Sequence, residues 1–130
     1  MKDLFNLPDR TNKPRENGIT MVMDSGLSIS QTEQMIESGS DYIDYVKLGW
    51  GTIVVTPVIK QKLQIYQKHS IPVCLGGTLF ELAVIQSCVD ELVSRAIDFG
   101  IQMFEVSDGT IDIEHQRKWD SITDLSDNFN

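Results

Sequence analysis

The sequence predicts an α/β fold in which a parallel sheet carries outer helices, built from four successive βα units. Three observations support this. Four short apolar runs are bounded by turn residues, segments of helical period with start and stop signals separate them, and the runs begin at 19, 42, 71 and 101. The spacings of 23, 29 and 30 residues each suit one βα unit. No internal repeat, second domain or flexible linker interrupts the series, so 1–130 reads as one domain with 1–18 as a polar N-terminal arm.

The strands are expected at ITMVMD (19–24), YIDYVKLGW (42–50), IPVCLGG (71–77) and IQMFEVSDG (101–109). The first helix is short, running from about Ser28 to Ser38 and ending at Gly39. The second starts at Thr56-Pro57, a cap followed by proline at the first helical position; Ile59, Leu63 and Tyr66 share one face, with lysines and glutamines opposite. The third opens with Thr78-Leu79-Phe80-Glu81, which reads as a capping box, and buries Leu82, Ile85, Val89, Leu92 and Ala96 before stopping at Gly100. The last, from about Ile113, has Trp119, Ile122 and Leu125 as its apolar stripe.

Composition narrows the function classes. With 41% hydrophobic and 23% charged residues the 130-residue chain is globular in character, and neither disorder nor a collagen-like repeat is indicated. No apolar run approaches the roughly 18 residues of a membrane span, and MKDLFNLPDR lacks the apolar core of a secretory signal, so a soluble cytoplasmic protein with no membrane partner is expected. Cys74 and Cys88 lack the spacing of a zinc site or a disulfide scaffold. Eleven Lys+Arg against 19 Asp+Glu leave a net charge of −8, which argues against a nucleic-acid partner.

In parallel α/β folds the chemistry sits at the carboxyl ends of the strands. Those ends carry Asp24, Lys47, Gly49, Trp50, Gly76, Gly77, Glu105, Ser107 and Asp108. Strand alternation places Asp24 with Val22 and Thr20, Lys47 with Tyr45 and Ile43, and Glu105 with Ser107 and Met103; Met21, Met23, Val46, Leu48, Phe104 and Val106 take the other face. That pattern suits a barrel interior that is polar at one mouth. Lys47, between Val46 and Leu48, needs a carboxylate partner if buried, and Asp24 and Glu105 are the candidates. The set is either a structural ion pair or a lysine acid/base beside metal-holding carboxylates; its concentration at one end favours the second. Gly76-Gly77-Thr78 leads into a helix N-terminus that either docks a phosphate or carboxylate or simply turns the chain and caps the helix. Asp108-Gly109 is often just a turn, and His69 and His115 lack metal partners at suitable spacing.

The segments RTNKPRENGITMVMD, DYIDYVKLGWGT, GGTLFE and FEVSDGTI together resemble the phosphosulfolactate synthase family, the first enzyme of one route to coenzyme M, with bacterial relatives and a plant heat-stress branch. They cover nearly the whole chain in the right order. The resemblance implies a TIM (β/α)8 barrel, a fold of about 250 residues, of which this chain would form the (βα)4 half. It further implies a magnesium-dependent addition of sulfite to phosphoenolpyruvate that yields phosphosulfolactate. On the matching positions, Lys47 would donate the proton with Glu105 as its catalytic partner, and Asp24, Glu105 and Asp108 would orient the metal. Gly76, Gly77, Thr78 and Ser107 would bind the anionic substrates. Arg15, with Arg10 and Lys13, would add positive charge; these residues precede the first strand, so a short path leaves them at the barrel's amino end unless the arm wraps or serves a neighbouring subunit, and the alternative is a solvated basic arm.

Half a barrel has open edges and an uncovered inner face, so a homo-oligomer or a complementary second half is expected as partner, and activity of this chain alone would depend on it. Two other functions stay open: a non-catalytic half-barrel acting through protein contacts, as in the stress branch, and a barrel lyase in which Lys47 forms a Schiff base.

Overall fold

Four parallel strands form one sheet in the order β1-β2-β3-β4: β1 (Met21–Asp24), β2 (Tyr45–Leu48), β3 (Val73–Leu75) and β4 (Met103–Phe104). The structure is a computed structural model and describes residues 4–128. The helices are α1 (Ile29–Gly39), α2 (Thr52–Val55), α3 (Ile59–Lys68), α4 (Gly77–Ile85), α5 (Val89–Asp98) and α6 (His115–Asn128), with a 3-10 turn at Ser40–Tyr42. This is the α/β architecture expected from the sequence, consistent with half of a (β/α)8 barrel. None of the helices among the described residues is long and apolar enough to cross a membrane.

Sheet register decides what each face carries. Met23 pairs with Lys47, Lys47 with Cys74, and Cys74 with Met103, so these four share one face. Asp24, Leu48, Leu75 and Phe104 form the next row and face the other way. The second face is the core side. Val46, Leu48, Val73 and Leu75 are buried there with Ile36, Leu63, Tyr66 and Ile71. The first face stays open, with Met21, Met23 and Met103 each more than a third exposed. The expected grouping holds for β2 and β4 but is reversed in β1: Asp24 points to the helices and the methionines to the open face.

Several helix boundaries differ from expectation for local reasons. Ser28, near where the first helix is expected to begin, caps α1 with a reciprocal Gln31 box. Thr56 instead closes α2, and α3 begins only at Ile59, leaving Pro57 in the connecting turn. The expected continuous third helix is two helices, because Ser87 takes a left-handed φ of 54° and the chain turns there. Gly76, not Thr78, is the N-cap of α4, so Thr78 sits exposed in the first turn and Glu81 does not close a capping box. Leu79, Phe80 and Ala83 form the buried side of α4, whereas Leu82 and Ile85 are exposed. In α6, Leu125 is buried against Phe80, Val93 and Ile113, while Trp119 and Ile122 are exposed.

Candidate active site

Lys47 stands at the middle of the open face near the carboxyl end of β2. Its neighbours Val46 and Leu48 are buried on the core side, so strand alternation sends Lys47 the other way. Two strands away, Glu105 continues the line of β4; its N–H donates to Leu75 O at 3.0 Å. Lys47 Nζ lies 2.8 Å from Glu105 Oε1, and the Gly77 N–H donates to Glu105 Oε2 at 2.6 Å. Burial pushes the Glu105 carboxyl upward, but the Lys47 hydrogen bond, the Gly77 amide and the Lys47 charge outweigh it and hold the group below the usual glutamate value. Cys74 lies between the two on β3. Its thiol is pushed up to about 11 by burial first and the Glu105 charge second, so it remains a thiol at neutral pH.

The glycine pair fits this geometry for steric reasons. A Cβ on Gly76 would lie 2.7 Å from Leu48 O, and one on Gly77 would collide with the Ser107 side chain. The N-terminal amide of α4, expected to dock a substrate anion, is therefore occupied by the protein's own Glu105 carboxylate. Ser107 Oγ donates to Glu81 Oε1. Thr78 is exposed beside them.

Asp24 does not join this group. Its Oδ1 accepts from Gly26 N at 2.9 Å and Leu27 N at 2.8 Å, and its Oδ2 from Lys62 Nζ at 2.9 Å and Tyr66 Oη at 2.8 Å. Burial raises its carboxyl, yet Lys62, the two amides and Tyr66 bring it below the usual aspartate range. Tyr66 is in turn pushed up by burial and by Asp24. The helical period alone puts the lysines of the second helix on its polar face, and Lys62 is the exception. Its position offered a signal: 62 lies on the same stripe as Ile59, Leu63 and Tyr66, all buried.

Asp108 pairs with Lys118 at 2.7 Å, which holds its carboxyl below the usual range. Arg15 sits at the opposite end of the sheet. Its Nη1 lies 2.7 Å from Asp44 Oδ1, its Nη2 donates to Asp41 O, and Asp44 also accepts the Thr20 N–H at 2.7 Å. Arg10 and Lys13 are tied there too, through Thr20, Tyr42 and Ser40. The arm precedes β1 and its short path leaves it at the amino end, so within this chain Arg15 adds no positive charge at the carboxyl rim; nor is it merely solvated, since its side chain is buried against Asp44.

The three carboxylates expected to hold magnesium are thus apart, each committed to a cationic side chain, and no group of three or more His, Cys, Asp or Glu residues among the described residues could hold a metal ion. The donor set does not fit a magnesium site within these residues. What the structure does unite is Lys47, Glu105 and Gly77: a lysine and a carboxylate in direct contact on the open sheet face, with side chains 19% and 40% exposed. Such a pair can hold a proton donor in a fixed direction toward a bound molecule.

The family described as (2R)-phospho-3-sulfolactate synthase (ComA) matches residues 8–130. Phosphosulfolactate synthase of Bacillus subtilis (strain 168) is 41% identical over 123 residues, 95% of this chain and 49% of that protein. The phosphosulfolactate synthase of Methanothermobacter thermautotrophicus is 39% identical over 116 residues, covering 88% of this chain and 45% of its own length. That of Methanocaldococcus jannaschii is 36% identical over 115 residues, 87% and 46% of the two chains. The chain spans about half the length of the curated relatives it matches.

Proposed function

The chain belongs to the phosphosulfolactate synthase family, and from that premise we propose that it supplies the Lys47–Glu105 part of a site that adds sulfite to phosphoenolpyruvate. The observation that carries the proposal is the 2.8 Å contact of Lys47 Nζ with Glu105 Oε1 on the open sheet face. Sulfite sulfur bonds to the methylene carbon as the carbon–carbon π bond breaks, and the electron pair passes through C2 into the carboxylate. C2 then takes a proton from Lys47 Nζ, giving phosphosulfolactate with its phosphate still on the C2 oxygen. Glu105 orients Lys47 and is itself held by the Gly77 amide. Positioned proton donors of this kind contribute about 10²–10⁴-fold in rate.

Met21, Met23 and Met103 add exposed apolar surface to the face that carries the pair, so the working form has this face covered by a complementary half-barrel or by a second copy of the chain. The two free cysteines suit a reducing compartment, and we place the reaction in the cytoplasm.

The test is product formation from phosphoenolpyruvate and sulfite, measured with the intact chain alone and mixed with a complementary half. We expect phosphosulfolactate, and a loss of at least about 100-fold in Lys47→Met. Absence of product under both conditions, or an unaffected Lys47→Met rate, rejects the proposal.

A further inference from the structure

We infer that Glu81 is a positioning residue that fixes the loop after β4 and thereby presents Glu105 to Gly77 and Lys47. The inference rests on the functional reading above for its purpose but on separate contacts for its substance.

Glu81 lies on α4 and is 2% exposed. A buried carboxylate requires hydrogen-bond donors, and those of Glu81 come from residues 107–110. Gly109 N donates at 2.7 Å and Thr110 N at 3.1 Å, joined by the hydroxyls of Ser107 and Thr110. The loop has need of this support, because β4 contains only two residues. Glu81 also follows Gly77 by four positions, one helical turn, so both lie on the same side of α4. That side therefore grips the chain beyond β4 twice, with the Gly77 amide on Glu105 and the Glu81 carboxylate on 107–110. Ser107 connects the two grips: its hydroxyl reaches Glu81, and its Cβ fills the space that a side chain at Gly77 would need. Glu81 does not touch Lys47 in this chain of contacts; beyond the like-charge repulsion between its carboxylate and that of Glu105, its influence on the pair is exerted through the loop, and Ser107→Ala, which keeps that charge, isolates the loop's share.

The experiment follows the Gly77 amide proton of the intact chain by two-dimensional NMR, together with amide hydrogen exchange at Gly109 and Thr110. Glu105→Gln provides the reference shift for a lost carboxylate contact. In Glu81→Gln an amide NH₂ replaces an acceptor oxygen among these donors. We expect Gly77 to move in the direction of the reference and the Gly109 and Thr110 amides to exchange at least about 10-fold faster. Ser107→Ala, a milder change that keeps the carboxylate, should move Gly77 in the same direction by less, and it serves if Glu81→Gln does not fold. A Gly77 resonance at its original position in a folded variant whose 109–110 amides have lost protection overturns the inference and leaves Glu81 a purely structural anchor. Titration of the unaltered chain with phosphoenolpyruvate separates the two readings. No response there counts against the proposed function alone, whereas the Gly77 shift decides the role of Glu81.

Discussion

Lys62 and Asp24, distant in sequence, meet at 2.9 Å between α3 and the end of β1 with neither side chain exposed to solvent. The pair ties the first βα loop to the core, because the same carboxylate takes the amides of Gly26 and Leu27. Removing one partner leaves a buried charge unmatched. Lys62→Met should therefore lower unfolding free energy in urea by about 3–5 kcal/mol, and adding Asp24→Leu should recover part of that loss. A single variant within about 0.5 kcal/mol of the parent would contradict this account.

Acid should destabilise the fold progressively. The carboxyls of Asp24, Asp44, Glu81 and Glu105 are all held below their ordinary values of 3.8 and 4.5. A depressed folded-state value means that the ionised form favours folding. This stabilisation is complete above the ordinary values and is lost as pH falls through the lower folded ones. Urea midpoints measured from neutral pH downward should hold level and then fall below about pH 4.5. Asp44→Asn should make the acid limb shallower; an identical slope in that variant would show that Asp44 is not among the groups responsible.

Gly77→Ala places a methyl group against Ser107 and close to Glu105 Oε2, 3.1 Å from the added carbon. Overpacking of this kind costs about 1–3 kcal/mol. Ser107→Gly in the same chain should return a large share of it by clearing the space. Equal losses with serine and glycine at 107 would mean that the strain lies elsewhere.

The open sheet face should be adhesive. Met21, Met23 and Met103 are 39%, 41% and 37% exposed on it. We expect the chain to bind a hydrophobic dye and to show concentration-dependent association in sedimentation, and both signals to fall when a complementary half is added. A dye-silent monomer at high concentration would remove the case for a covered face.

The sequence by itself determined the four βα units, their parallel order and the placement of Lys47 and Glu105 on one face of the sheet. These follow from local signals: short apolar runs, turn residues between them, and side-chain alternation counted along each strand. Relation to the family was legible in the same segments. The face occupied by Asp24 was not, since alternation says only that Asp24 opposes Met23, and the pairing of Met23 with Lys47 is what assigns Met23 to the open side. Tertiary structure likewise decided that Lys62 is buried, because a lysine on the edge of an apolar stripe goes inward only where a carboxylate awaits it. It placed Arg15 at the amino end through Asp44, and it turned Glu81 from a helix cap into the anchor of a distant loop. In each case the side chain's partner comes from another element. Spacing along one chain can state which charges need partners, and only the packed sheet and helices determine which partners they meet.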